Sequence, residues 1–130
     1  MKTRFFWIAG GLFLLSVFSS CHWHRHYHDV SISINDDEDI YQLSARFDER
    51  KTHDIEMYLK ECAKSIDGRY VSGGHDYIDA NLILDDDTRV YVKSHDGRLK
   101  IKFNKEDNSV ASYERVKEMC EGIKQLLAKN

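Results

Sequence analysis

The sequence has no proline, only seven glycines and only three cysteines in 130 residues. Lack of proline excludes polyproline segments and collagen-like repeats, and no Gly/Ser-rich stretch marks a linker to a second domain. There is no Cys-x-x-Cys, so no thioredoxin-like redox centre is expected. Gly-x-Ser-x-Gly, His-Glu-x-x-His and a glycine-rich phosphate loop are also missing. The neighbours His75-Asp76 and His95-Asp96 fall in expected loops, where adjacent side chains point apart and make poor catalytic dyads. An enzyme is therefore not expected. Charge of one sign is not in large excess either. With 19 basic and 22 acidic side chains the net charge is −3, which argues against a nucleic-acid partner.

Long apolar runs are scarce. The apolar segment at residues 5–18 is a run of fourteen residues without a charge, ended by the polar Ser19 and Ser20. A membrane-spanning helix needs about 20. Lys2 and Arg4 precede this stretch, and the small residues Ser19 and Ser20 follow it. That order of positive start, short apolar segment and small residues is the pattern of an export signal, not of a structural element.

The next residue refines this reading. "VFSSC", residues 17–21, resembles the lipobox of bacterial lipoproteins, with Phe18 where the family usually has Leu. The resemblance covers residues 1–21. It implies cleavage before Cys21, a diacylglyceryl group on the Cys21 sulfur and usually acylation of the new amino group. It also implies a cell-envelope protein whose membrane partner is reached through lipid. Lipoproteins of enteric bacteria with Asp after the cysteine tend to stay in the inner membrane. His22 stands there, which favours the outer membrane if the source is Gram-negative. Each buried methylene contributes about 0.8 kcal/mol, so two or three acyl chains hold where one does not.

Four histidines come next. His22, His24, His26 and His28 alternate with Trp23, Arg25 and Tyr27. In an extended chain the imidazoles project from one side and the aromatics from the other. Imidazole nitrogen suits Zn²⁺, Cu²⁺ or Ni²⁺, and such binding fades below about pH 6.5 as the rings protonate. The same segment also reads as a tether: Trp23 and Tyr27 favour the headgroup region, and Arg25 can meet lipid phosphate. Both readings stand at this point. No other cofactor is implied.

Removal of residues 1–20 takes Lys2 and Arg4 with it; 19 less 2 leaves 17 basic against 22 acidic side chains, a net of −5. The domain boundaries are then a signal peptide at 1–20, a lipidated cysteine and His-rich tether at 21–28, and one domain at 29–130. Its length supports a single core. Segments 29–35 and 40–47 alternate apolar with polar residues and read as a hairpin around the turn "NDDED". From Asp48 the period changes: Ile55, Leu59, Cys62 and Ile66 share one helix face, with Asp48 as a start and Gly68 as a left-handed stop. Residues 68–76 read as a loop. Strands follow at 77–84, 89–94 and 98–103. Asp96-Gly97 marks a two-residue hairpin that sets Val92 opposite Ile101. Asp85–Asp87 form a three-residue turn. Tyr113, Val116, Cys120, Ile123 and Leu127 define a final helix, capped by Asn108 or Ser109. The expected fold is α+β, in the order ββαβββα: a mostly antiparallel five-stranded sheet with two helices packed on one face.

Cys62 and Cys120 lie on the apolar faces of the two helices. In an oxidising compartment they can meet as a disulfide, worth roughly 4 kcal/mol on a chain-entropy estimate, or pack as separate buried thiols. The acidic clusters Asp36–Asp39 and Asp85–Asp87 lack the spacing of a calcium loop and read as hairpin turns. The outward sheet face is more informative. The register sets Lys93 opposite Lys100 and Tyr91 opposite Lys102, with Arg89 and Arg98 beside them. Like charges across a ladder are unfavourable unless water, a carboxylate such as Asp79, or an anionic partner offsets them. Arg89, Tyr91, Lys93, Lys100 and Lys102 are thus candidate contacts for an anionic glycan, peptide or lipid headgroup. The expected protein is a lipid-anchored envelope protein with a small non-enzymatic binding or structural domain. The alternative is a transition-metal-binding lipoprotein that uses the histidine cluster.

Overall fold

Period-two alternation builds one antiparallel sheet. In the computed structural model, residues 30–72 and 75–129 are described; Cys21 and the cluster His22, His24, His26 and His28 lie outside them. The strands are β1 (Ser31–Asp36), β2 (Ile40–Arg46), β3 (Ala63–Val71), β4 (Tyr77–Leu84), β5 (Arg89–His95) and β6 (Arg98–Asn104). Helix α1 (Thr52–Cys62) lies between β2 and β3, and α2 (Val110–Ala128) ends the fold. The spatial order is β1-β2-β6-β5-β4-β3, and every neighbouring pair is antiparallel. The α+β class, the two helices and the hairpins hold. The count of five strands does not: there are six, in the order ββαββββα.

The extra strand is β3. It begins at the end of α1, where the helical spacing had been expected to continue to Gly68. Ile66, Gly68 and Tyr70 oppose Leu82, Ala80 and Ile78 of β4. The middle member of this alternating row is a glycine, so the apolar period vanishes from the sequence. Gly68 caps no helix. Its φ is +142°, and a Cβ there would lie 2.7 Å from the Ala80 Cα. The position is glycine because two strand backbones approach closely.

Two turns set the register of the central strands. Asp96 and Gly97 both have positive φ, 42° and 77°, as a type I′ hairpin requires. Val92 then opposes Ile101 and Lys93 opposes Lys100, as expected. At the β4–β5 turn, Asp87 N–H donates to the Leu84 carbonyl and Leu84 N–H to the Thr88 carbonyl, with Asp87 left-handed at φ 64°. That is a three-residue loop with a bulge.

Helix caps follow local chemistry. Asp48 accepts from Arg50 N–H at 2.9 Å and caps a 3₁₀ turn, Glu49–Lys51, which runs into α1. Ser109 Oγ accepts from Ser112 N–H at 3.1 Å and caps α2. Ile55 and Leu59 of α1, and Val116, Met119, Cys120, Ile123 and Leu127 of α2, join the buried sheet residues Leu43, Leu82, Val92, Ile101 and Phe103 in one core. Each such side chain contributes about 1.5–3 kcal/mol on burial. The helices do not cover β1. Val30, Ile32 and Ile34 share the core side of the sheet but are 43%, 36% and 40% exposed, where a half-buried strand was expected. β1 is the sheet edge, held at its end by Asp36, which accepts hydrogen bonds from Lys105 and Tyr113.

Cys62 and Cys120 carry free thiols, the second of the two arrangements the sequence left open. Their surroundings differ. Cys62 is half-buried at the last residue of α1, and burial raises its pKa. Cys120 is fully buried, and burial pushes its thiol up to about 12. Alkylation needs a thiolate and access. At pH 8 the native protein should therefore take iodoacetamide slowly at Cys62 and not at Cys120. Both should react after unfolding without reductant. Failure of both to react then, seen by mass, would restore the bridge.

Candidate functional site

One face of the sheet carries the core and the other stands open. The registers place side chains of the open face in rows. One row runs Arg69, Asp79, Lys93, Lys100, Ser44, Ser33 from β3 to β1. The next runs Asp67, Asn81, Tyr91, Lys102, Gln42, Asn35. A third places His95, Arg98 and Arg46 side by side. Arg89 lies one pair further along β5 and reaches Asp67 at 3.6 Å.

Charge is unevenly spread along these rows. Asp67 and Asp79 both stand in the β3–β4 half. Asp79 accepts from Tyr91 Oη at 2.7 Å and Tyr77 Oη at 3.1 Å. The Tyr91 hydrogen bond in particular holds its carboxyl below the usual range, while the Tyr91 phenol is pushed up to about 12. Asp79 also faces Lys93, so part of that lysine's charge is offset as the sequence suggested. The β6–β2 half has no such offset. Lys100 and Lys102 oppose Ser44 and Gln42, and Arg98 opposes Arg46. Lys93, Lys100, Lys102, Arg46 and Arg98 form no ion pair among the described residues.

All five sequence-derived contacts, Arg89, Tyr91, Lys93, Lys100 and Lys102, therefore lie on this one face. Arg46 was missed. It joins through the β2–β6 pairing, which connects strands far apart in the chain. Two shallow depressions open here. One of about 250 Å³ is bordered by Ser33, Ser44, Arg46 and Arg98. Another of about 420 Å³ is bordered by Arg89, Tyr91, Lys102 and Asn104, with Asp87 and Asp107 also at its rim.

A second cluster lies at the start of α1. His53 and Glu56 are one turn apart on the helix, and Asp76 immediately precedes β4. His53 Nδ1 is 2.8 Å from Asp76 Oδ2. One donor atom from each of the three lies within 4.8 Å of the others. Glu56 is 1% exposed, and neither carboxylate oxygen has a hydrogen-bond partner of good geometry. Burial raises its pKa; the nearby Tyr70 and Ser72 hydroxyls lower it, and Asp76 raises it further. In the sequence Asp76 stands beside His75, yet its partner is His53, 23 positions earlier. Only the β3–β4 hairpin brings the two together. The cluster borders an open cavity of about 420 Å³ that His53, His75 and Asp76 line.

Among the described residues no helix is long and apolar enough to cross a membrane. No family model, no curated protein and no solved structure matches the chain.

Proposed function

We propose that the protein is a lipid-anchored cell-envelope lipoprotein whose domain holds an anionic glycan of the envelope on the open face of its sheet. The observation that carries this reading is the basic half of that face. Lys93 pairs with Lys100 and Arg98 with Arg46, with no ion pair to any of them among the described residues, in a chain that is acidic overall. Two like-charged cross-strand pairs cost stability, and a bound polyanion turns that cost into binding energy. The neighbouring groups suit a saccharide. Gln42 and Asn81 offer amides to hydroxyls, and Tyr91 offers a flat ring whose hydroxyl is already engaged by Asp79.

Anchoring at Cys21 fits the placement of the domain. β1 begins ten positions after Cys21. An extended chain of that length spans about 35 Å at most, so the sheet stays close to the bilayer. The exposed Ile32 and Ile34 lie on the strand nearest the anchor in sequence, and the exposed Val30 immediately precedes it.

Binding of the full-length protein, in detergent, to lipopolysaccharide and to heparin as a simple polyanion tests the reading. Substituting Lys93, Lys100 and Lys102 together with alanine should weaken both by about tenfold or more at low salt, because several counterion-releasing contacts are lost. The three side chains are exposed, so thermal stability should be unchanged or slightly raised. Equal binding by the triple variant would remove this face from consideration.

A further inference from the structure

We propose that His53, Glu56 and Asp76 form a binding site for a divalent transition-metal ion of the Zn²⁺ class, separate from the histidines at 22–28. Three observations converge. The donors come from the first two turns of α1 and the residue before β4, and their ligand atoms already lie within 4.8 Å of one another. Donors around one Zn²⁺, at about 2.0–2.2 Å from the metal, stand roughly 3–4 Å apart. A small rotation of His53, which is exposed, closes that difference.

Glu56 supplies the second and strongest observation. A carboxylate that is 1% exposed, with both oxygens lacking a hydrogen-bond partner of good geometry, is costly. No ion pair reaches it among the described residues. Lys60, one turn further along the helix, feels the Glu56 charge but forms no ion pair with it; its Nζ lies 5.1 Å from the Tyr70 ring centroid. Another acidic side chain, Asp76, faces Glu56 instead and adds to the penalty. A cation between the two carboxylates removes both costs at once.

The third observation is the donor set. One imidazole with two carboxylates suits Zn²⁺, Mn²⁺ or Fe²⁺ better than Ca²⁺, which takes six to eight oxygens. Two of the three ligands, His53 and Asp76, line an open cavity from which water can take a fourth position.

The test uses full-length protein in detergent with His22, His24, His26 and His28 all changed to alanine, so that only this cluster is read. Titrated with Zn²⁺ at pH 7.5, it should bind one ion, with a rise in Tm that follows Zn²⁺ concentration. Co²⁺ in its place should give visible ligand-field absorption. Adding Glu56→Gln, nearly isosteric, should weaken Zn²⁺ binding at least tenfold and cancel the rise in Tm. His53→Ala, at an exposed position that the fold does not need, should do the same. The competing explanation is a proton shared by Glu56 and Asp76. No Zn²⁺ uptake by the folded protein, or uptake that survives both substitutions, would overturn the site.

Discussion

Cys21→Ser is expected to abolish incorporation of a palmitate analogue, an all-or-none effect read by in-cell labelling and intact mass. The wild-type mature chain should have lost residues 1–20 and gained acyl mass on residue 21. The lipobox resemblance implies a diacylglyceryl group on the Cys21 sulfur and an acyl group on the amino group freed by cleavage, and serine cannot replace the thiol that the first of these needs. Two or three acyl chains contribute about 0.8 kcal/mol per buried methylene, enough for a durable anchor. Labelling that persists in the serine variant, or a mature protein without acyl mass, would contradict the anchor. It would leave the described domain and its two clusters in place, since none of their residues lies before Val30.

Gly97→Val is expected to be the most damaging single substitution in the β-hairpins. Gly97 holds φ at +77°, and a Cβ there would stand 2.4 Å from the Phe47 carbonyl oxygen. A β-branched residue in the left-handed region costs about 1–2 kcal/mol, and the overpacking adds about 1–3 kcal/mol. The position also joins three elements. Gly97 N–H donates to Thr52 Oγ1 at 2.8 Å, and its carbonyl accepts from Phe47 N–H at 2.8 Å. The β5–β6 turn thereby fixes both the end of β2 and the start of α1. A total near 3 kcal/mol should lower Tm by roughly 10–20 °C in a domain of this size. Gly97→Asn tolerates the backbone angle but keeps the clash, so it should lose less. Wild-type stability in the valine variant would mean that the turn is not built as described.

What the sequence made legible was local. Asp96-Gly97 names its own turn type, and from it follow the β5–β6 register and the Lys93–Lys100 pair. The apolar spacing of α2 is uninterrupted from Tyr113 to Leu127, and Ser109 before it is a strong cap. Legibility ended where distant segments meet or where a signal was removed by a small residue. Gly68 replaced the central apolar residue of β3, while Ile66 happened to continue the helical spacing of Ile55, Leu59 and Cys62. The residues of β3 therefore read in sequence as the end of a helix and the start of a loop. That substitution of one element for another also concealed the second cluster, because β3 is what carries the chain back so that Asp76 reaches His53. Arg46 opposite Arg98 required knowing that β2 neighbours β6. The exposure of Val30, Ile32 and Ile34 required knowing where the helices stop. Their alternating pattern records which way they point, not whether anything covers them.

The sheet face and the α1 cluster involve different residues, and their tests can fail separately. Loss of Lys93, Lys100 and Lys102 removes no metal donor, and Glu56→Gln removes no charge from the open face.

The most direct measurement is the heparin affinity of the full-length protein as a function of NaCl. If about four cations of the open face are neutralised together, log Kd should rise nearly linearly with log salt concentration, with about a fifty-fold loss of affinity between 50 and 200 mM. Binding that is independent of salt, or no binding at 50 mM, would contradict a polyanion-binding face on this sheet.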